Sequence, residues 1–410
     1  MKIMRLSRGV GPRLVAAALM MLSLTGARAR AAVAMGSAST PDPLRVALDH
    51  FYNLEYDSAD NELTEWLKQH PGDLRALNYL ATTILQRELL RRELLEAQVY
   101  GKGGEAYEGG EHALSPELRQ GLLGVLDKAE RLADERLNKD PRDVEALYWA
   151  GVSHVTRALI NLTLLKARLD ALGEAKKARK LHAQVLSIDP NFIDAYLVLG
   201  MYDYIVGSLP WYMKVVASLI GYSGNRERGI AEVKRVSEQG NWAREDAKSY
   251  LGILYYREKR YAEALGVLRD MAHSYPRNYV VQQEIARVYK SQQNWKAAAE
   301  VYDGIVAKHD SGAPGYGEIP LAKILFQAGE VWGSQGSPEQ ALLRHERAGK
   351  LGDNNIYVFR SELAAADICV RMSRRAEALR KYQRVATAIP NTDEGKAARQ
   401  ALKRLGENAG

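Results

Sequence analysis

A pattern of small and bulky residues recurs in this chain at an interval of thirty-four residues. Tyr261, Ala264, Leu268 and Pro276 follow Gly252 at offsets of 9, 12, 16 and 24, and Trp295, Ala298, Tyr302 and Asp310 follow Ala286 at the same offsets. The two copies adjoin without a gap. A period of this length fixes architecture before any single residue is interpreted. It accommodates two short antiparallel helices and two turns, and such a pair cannot bury its apolar faces alone. Copies must therefore stack side by side.

The series extends well beyond these two copies. Small residues recur at Ala47, Ala81, Gly151, Gly200, Gly252, Ala286, Gly329 and Ala366, and a second series of alanines runs Ala59, Ala129, Ala178, Ala264, Ala298, Ala341 and Ala378. Pro71, Pro141, Pro190 and Pro276 each stand ten residues before the next small residue, and Pro390 closes the last copy. Glycine or alanine lets two helix backbones approach closely, whereas a larger side chain holds them apart. Proline ends a helix because it lacks an N–H and favours an extended residue before it.

This spacing resembles the tetratricopeptide repeat (TPR), which has a small residue in helix A, an aromatic residue and an alanine opening helix B, and a closing proline. The resemblance implies an all-α fold: a right-handed superhelical solenoid of about eight TPR-like helix pairs. Inserts are expected between helices A and B of repeats 2–4, and a capping helix at the C-terminus. The organisation then reads as a leader over residues 1–31, a repeat domain over 41–390, a capping helix over 391–406 and a flexible tail over 407–410. Thr392 or Asp393 is expected to open the capping helix, with Ala397, Ala398, Leu402 and Leu405 on its inner side.

The leader places Lys2, Arg5, Arg8 and Arg13 ahead of an apolar run from Leu14 to Leu24, followed by small residues at Ala27, Ala29 and Ala31. That order is the mark of a secretory signal peptide, and the run is too short to span a bilayer comfortably. Cleavage is expected after Ala29, Ala31 or Ala34, and the expected address is the periplasm. The first 31 residues hold six basic residues and no acid, so 51 basic residues face 50 acidic ones in the remainder. The basic pI belongs to the leader, and a global electrostatic case for nucleic acid falls with it. The single cysteine, Cys369, cannot form an internal disulfide and is expected to pack inside the last helix A.

Two inserts stand out. Residues 101–117 carry Gly101, Gly103, Gly104, Gly109 and Gly110 and read as a solvated loop; the glycine spacing and the residue after Lys102 do not fit a phosphate-binding loop. The other runs from Ile205 to Tyr222, where Trp211, Tyr212, Met213, Val215, Val216, Leu219 and Ile220 surround Pro210 and Lys214. Its short apolar helix is expected to fold onto the solenoid, dock a partner, or rest on a membrane surface. The stretch from Gly207 to Val233 is also similar to the eukaryotic tetratricopeptide repeat protein 39 and inclusion-body clearance family, through Leu209, Pro210, Tyr222, Gly224, Asn225, Arg226, Gly229 and Ile230. That likeness covers about residues 192–265 and implies a non-enzymatic helical repeat.

In the tetratricopeptide family, helix A positions 2, 5, 9, 12 and 13 line the concave groove. Transferred here, they point to Tyr148 and Val152; Leu197, Met201 and Tyr204; Ser249, Ile253, Tyr256 and Arg257; and Gln283, Arg287 and Lys290. Tyrosines among basic residues suit an extended or helical peptide with apolar and acidic groups. The asparagines of the carboxylate clamp used by some related domains are absent.

Eight histidines are scattered with no HExxH motif; His182 and His345 stand at the aromatic position of helix B, where packing explains them better than metal does. Asp140 and Asp189, each before a proline, read as turn residues. No nucleophile elbow is present. The expectation is an exported, non-enzymatic protein-binding scaffold of a cell-envelope assembly, with no cofactor or metal and no nucleic-acid partner. The alternatives are a membrane-peripheral protein using the apolar insert over residues 205–222, or an enzyme with an unrecognised site.

Overall fold

The computed structural model describes residues 43–95, 114–219, 223–352 and 355–407. The leader, most of the glycine-rich insert, the side chains from Val216 to Tyr222 and the last residues of the tail lie outside that set. The chain forms two compact units, one up to Tyr275 and one from Pro276 onward. Among the described residues every regular element is helical, as the thirty-four-residue period requires.

In the first unit the helix pairs are α1 (Pro43–Tyr52) with α2 (Tyr56–Gln69), α3 (Leu74–Arg91) with α4 (Pro116–Lys139), and α5 (Val144–Leu159) with α6 (Arg168–Ile188). They continue as α7 (Tyr196–Gly207) with α9 (Arg226–Gln239), and α10 (Arg244–Arg257) with α11 (Tyr261–Ser274). The insert of the fourth pair carries its own helix, α8 (Trp211–Leu219), and α5 ends in a π-helical turn over Ile160–Leu164. The second unit holds α12 (Tyr279–Ser291) with α13 (Trp295–Asp310), α14 (Leu321–Ser334) with α15 (Pro338–Gly349), and α16 (Ile356–Arg371) with α17 (Arg375–Ala388). A last helix, α18 (Asp393–Glu407), packs on α17 and buries Ala398. Its N-cap is Thr392, whose Oγ1 accepts from the Gly395 N–H at 3.1 Å.

Each series of small residues lies at a helix–helix contact. Ala59, Ala129, Ala178, Ala264, Ala298, Ala341 and Ala378 are all sealed from water. The helix A glycines are approached by helix B: a Cβ on Gly151 would collide with the His182 ring, and one on Gly329 with the His345 ring. Both histidines are 1% exposed and fill the place that Leu268 takes over Gly252, so packing explains them. Backbones approach closely between α7 and α9, where a Cβ on Gly229 would sit 2.5 Å from the Gly200 carbonyl oxygen. Gly224 and Asn225 serve the same contact. The first leaves room for Val206, and the second caps α9 by accepting from the Arg228 N–H.

Turns recur as faithfully as helices. Asp140 and Asp189 accept from the N–H two residues on, Arg142 and Asn191, each at 2.9 Å. Asp73, Asp143, Asn278 and Asn294 cap the helices that follow them. Between helices A and B the backbone turns through the left-handed region at Leu54, Glu93, Lys166, Lys259, Gln293, Gly336 and Ser373. Behind that residue the N–H of Arg260 reaches the carbonyl of Tyr255 at 2.8 Å, and Asn294 repeats the bond to Tyr289 at 2.9 Å. This is the Schellman closure, which normally selects glycine. Here only Gly336 is glycine, which hides the turn from a sequence reading.

Candidate functional site

The helix A faces of the two units have different fates. In the first unit they converge on the turn over residues 240–243, before α10. Asp194, just ahead of α7, accepts from the backbone N–H groups of Asn241 at 2.7 Å, Trp242 at 2.9 Å and Ala243 at 3.2 Å. Burial raises the Asp194 carboxyl, and those three bonds oppose the rise. The Trp242 ring stands against Trp149 of α5 and Tyr79 of α3 at centroid separations of 6.0 and 6.2 Å. Arg45 of α1 and Arg75 of α3 lie over the same ring, at 5.3 and 5.4 Å. Side chains from all five helix pairs therefore meet at one turn.

The first pair also reaches the fifth directly. Tyr52 donates its hydroxyl to Asp246 Oδ1 at 3.0 Å, Arg45 donates to Asn241 Oδ1 at 3.1 Å, and the Tyr52 and Tyr275 rings lie 4.9 Å apart. Burial pushes the Tyr52, Tyr79 and Tyr148 phenols well above their ordinary range. A polar seam links α3 to α5: the Ser153 hydroxyl donates to Asn78 Oδ1 at 2.9 Å, and Thr82 and Thr156 oxygens lie 3.4 Å apart.

This closure corrects the expected groove. Tyr148, Val152, Leu197, Met201 and Tyr204 are core residues, none more than 5% exposed. Tyr148 and Val152 belong to the same core as Trp242, and Tyr204 packs by Gly229 and donates its hydroxyl to Glu258 at 3.0 Å, so none of them can meet a partner without opening the unit. Ser249, Ile253 and Tyr256 of α10 are half-buried and Arg257 is exposed; the Ser249 hydroxyl bonds the Glu245 carbonyl at 3.1 Å. Of the insert residues, Trp211 and Tyr212 are exposed and Met213 is half-buried.

In the second unit the corresponding face keeps contact with water. Gln283 of α12 is buried and donates to Gln327 of α14 at 3.1 Å, while Arg287, paired with Glu284, and Lys290 are half-buried. Glu330 of α14 and Asp367 and Arg371 of α16 are exposed, and Phe326 and Leu363 are half-buried among them. Lys290 and Arg371 both pull the Glu330 carboxyl down and Asp367 pushes it up, so these helices present one charged surface. Partial withdrawal from water outweighs those pulls and raises that carboxyl overall. Counting the groove offsets from Gly329 and Ala366 marks Phe326, Glu330, Leu363, Asp367 and Arg371, so the signal for these positions was in the sequence. Tyr316 had no such signal. It anchors the loop between α13 and α14 by donating to the Pro276 carbonyl at 3.0 Å.

Among the described residues no cluster of three or more His, Cys, Asp or Glu side chains could hold a metal ion, and no helix is long and apolar enough to cross a membrane. Cys369 is buried, and burial raises its thiol.

No family model and no curated protein matches the chain. Solved structures show a remote likeness. A tetratricopeptide repeat protein from Parabacteroides merdae is 15% identical, with 78% of this chain and 95% of that one covered and a TM-score of 0.31. Yeast Tom70 is 14% identical over 90% of this chain and 89% of its own, with a TM-score of 0.34. PilW, a type IV pilus biogenesis factor, is 14% identical over 59% and 92%, with a TM-score of 0.38. Likeness at these scores says nothing of partner or role.

Proposed function

We propose that this protein is an exported, non-enzymatic scaffold that holds a partner protein on the helix A face of its second unit. One observation carries the reading: helix A positions Tyr148, Val152, Leu197, Met201 and Tyr204 are sealed in α5 and α7, whereas Phe326, Glu330, Leu363, Asp367 and Arg371 keep access to water in the second unit. The accessible set mixes Lys290 and Arg371 with Glu330 and Asp367 around Phe326 and Leu363. Apolar anchors bordered by charges of both signs suit a protein segment of mixed charge, with the charges setting register and the aromatic anchor supplying contact area. Export rests on the order of charges, apolar run and small residues in the first 31 positions. Service in a cell-envelope assembly is part of the same proposal.

A photo-crosslinking residue placed at Glu330 should capture the partner in intact cells. The same probe at Leu343, 58% exposed on α15, should not. Charge reversal through Lys290→Glu with Arg371→Glu should abolish the Glu330 crosslink. Capture at Leu343 alone, or capture at Glu330 that survives the reversal, would move the binding surface elsewhere. For export, the N-terminus of the fractionated mature protein is expected at residue 30, 32 or 35. A chain retaining Met1 in the cytoplasm would remove that part.

A further inference from the structure

Of the seven exposed large apolar side chains among the described residues, Leu343, Leu351 and Val370 lie in the second unit and the other four fall on two neighbouring helix pairs of the first. Leu169 (85% exposed), Trp211 (78%), Val215 (54%) and Tyr212 (49%) all belong to the third and fourth helix pairs. The Arg179 guanidinium lies 4.1 Å from the centroid of the Tyr202 ring, which fixes the register of antiparallel helices α6 and α7. Ten residues before Arg179 comes Leu169, at the start of α6. Five residues after Tyr202, α7 ends at Gly207, and α8 begins at Trp211. Leu169 and α8 thus occupy the same edge of the unit, where helix A turns into helix B.

The face of α8 is also ordered. With about 100° between successive helical residues, Trp211, Val215 and Tyr212 fill one arc of roughly that width. Met213, half-buried, lies on the opposite side toward the protein. Lys214 flanks the apolar arc and is exposed, as are Lys166 and Arg168 beside Leu169; Asp170 is the one exposed acid between Lys166 and Leu172. Trp211 and Tyr212 stand edge to face with centroids 6.1 Å apart.

We infer that this edge rests on an anionic lipid surface, with Trp211, Tyr212, Val215 and Leu169 entering the interfacial layer and Lys166, Arg168 and Lys214 meeting the headgroups. Tryptophan and tyrosine suit that layer because one part of each ring system is apolar and another donates a hydrogen bond. Lysine and arginine lay their methylene stems along the apolar boundary and keep their charge at headgroup level. A projecting helix with an outward apolar arc and a cationic margin matches a flat anionic surface in shape and in sign. The inference is independent of the helix A face of the second unit.

Co-sedimentation of the mature chain with phosphatidylcholine vesicles, with and without about a third phosphatidylglycerol, tests it. Binding is expected to the anionic vesicles, falling at least tenfold in neutral ones. A blue shift of tryptophan emission should accompany it and vanish in Trp211→Ser. Trp211→Ser with Tyr212→Ser, both at exposed positions, should weaken binding at least tenfold, and Lys214→Glu with Arg168→Glu should weaken it comparably. Failure to sediment with either vesicle would overturn the inference, as would equal binding to both or undiminished binding by the double serine variant. Self-association abolished by the serine substitutions, without vesicle binding, would assign the edge to a second copy of the chain instead.

Discussion

Substituting Gly229 by alanine tests how closely the two helices of the fourth pair pack on each other. A Cβ there would lie 2.5 Å from both the Gly200 carbonyl oxygen and the Tyr204 nitrogen. Ordinary contact starts near 3.4 Å, so α7 and α9 must separate by about 0.9 Å. Neither neighbour is a flexible side chain tip, and the backbone itself has to yield. A radial gap of that size forfeits a quarter to a half of each dispersion contact, and overpacking generally costs about 1–3 kcal/mol. Alanine gains about 1 kcal/mol in helix propensity over glycine, leaving a net loss of up to about 2 kcal/mol. Gly124, on exposed α4, has nothing within 4 Å of an added Cβ, so alanine there should gain about 1 kcal/mol. Gly252 falls between them, since its neighbour is the Leu268 side chain at 3.2 Å. The assay is urea unfolding followed by far-UV circular dichroism, with the three alanine variants compared at matched slope. Gly229→Ala as stable as Gly124→Ala would mean that α7 and α9 are not in close contact, and the argument that small residues set the approach of helix A to helix B would fail.

Three further outcomes are expected. His182 and His345 titrate near pH 4 in the folded chain, lowered from 6.5 by burial. The unfolded chain binds the extra protons between those values, so each site should lose up to about 3 kcal/mol of stability as pH falls from 6.5 to 4; His345→Leu should flatten part of that fall in an acid melt. Lys259 and Gln293 hold positive φ, and Lys259→Gly or Gln293→Gly should each raise the thermal midpoint through a gain of about 1 kcal/mol; a lowered midpoint would contradict the left-handed turn. Tyr52→Phe removes the donor to buried Asp246 and should cost about 1–2 kcal/mol. An unchanged denaturation curve would mean that this bond does not contribute.

The repeat was legible because it is enforced locally. Gly151, Gly200, Ala264 and Ala298 must be small where helix A packs on helix B, and Asp140 and Asp189 must accept the turn N–H beside their prolines. The binding face was not legible in the first unit. Whether Tyr148 or Met201 meets solvent depends on how tightly five hairpins wrap, and that is decided by contacts nearly two hundred residues apart, such as Tyr52 with Asp246. No motif within one repeat encodes such a contact. Family positions transferred to Leu197 and Tyr204 therefore landed in a core. In the second unit Lys290 and Arg287 kept some access to water, and the same counting carried on to Glu330 and Arg371 reaches an open surface.

Tyr52 and Asp246 join opposite ends of five consecutive helix pairs, and that alters how the unit comes apart. An ordinary stack of repeats behaves as a one-dimensional chain: it frays from its termini, and loss of an end copy removes one neighbour's worth of interface. Here truncation at residue 70 would strip α1 and α2 from α3 and from the turn at Trp242 at once. Amide exchange in α1 should consequently be as slow as in α5, and the N-terminal hairpin should melt with the whole block rather than ahead of it.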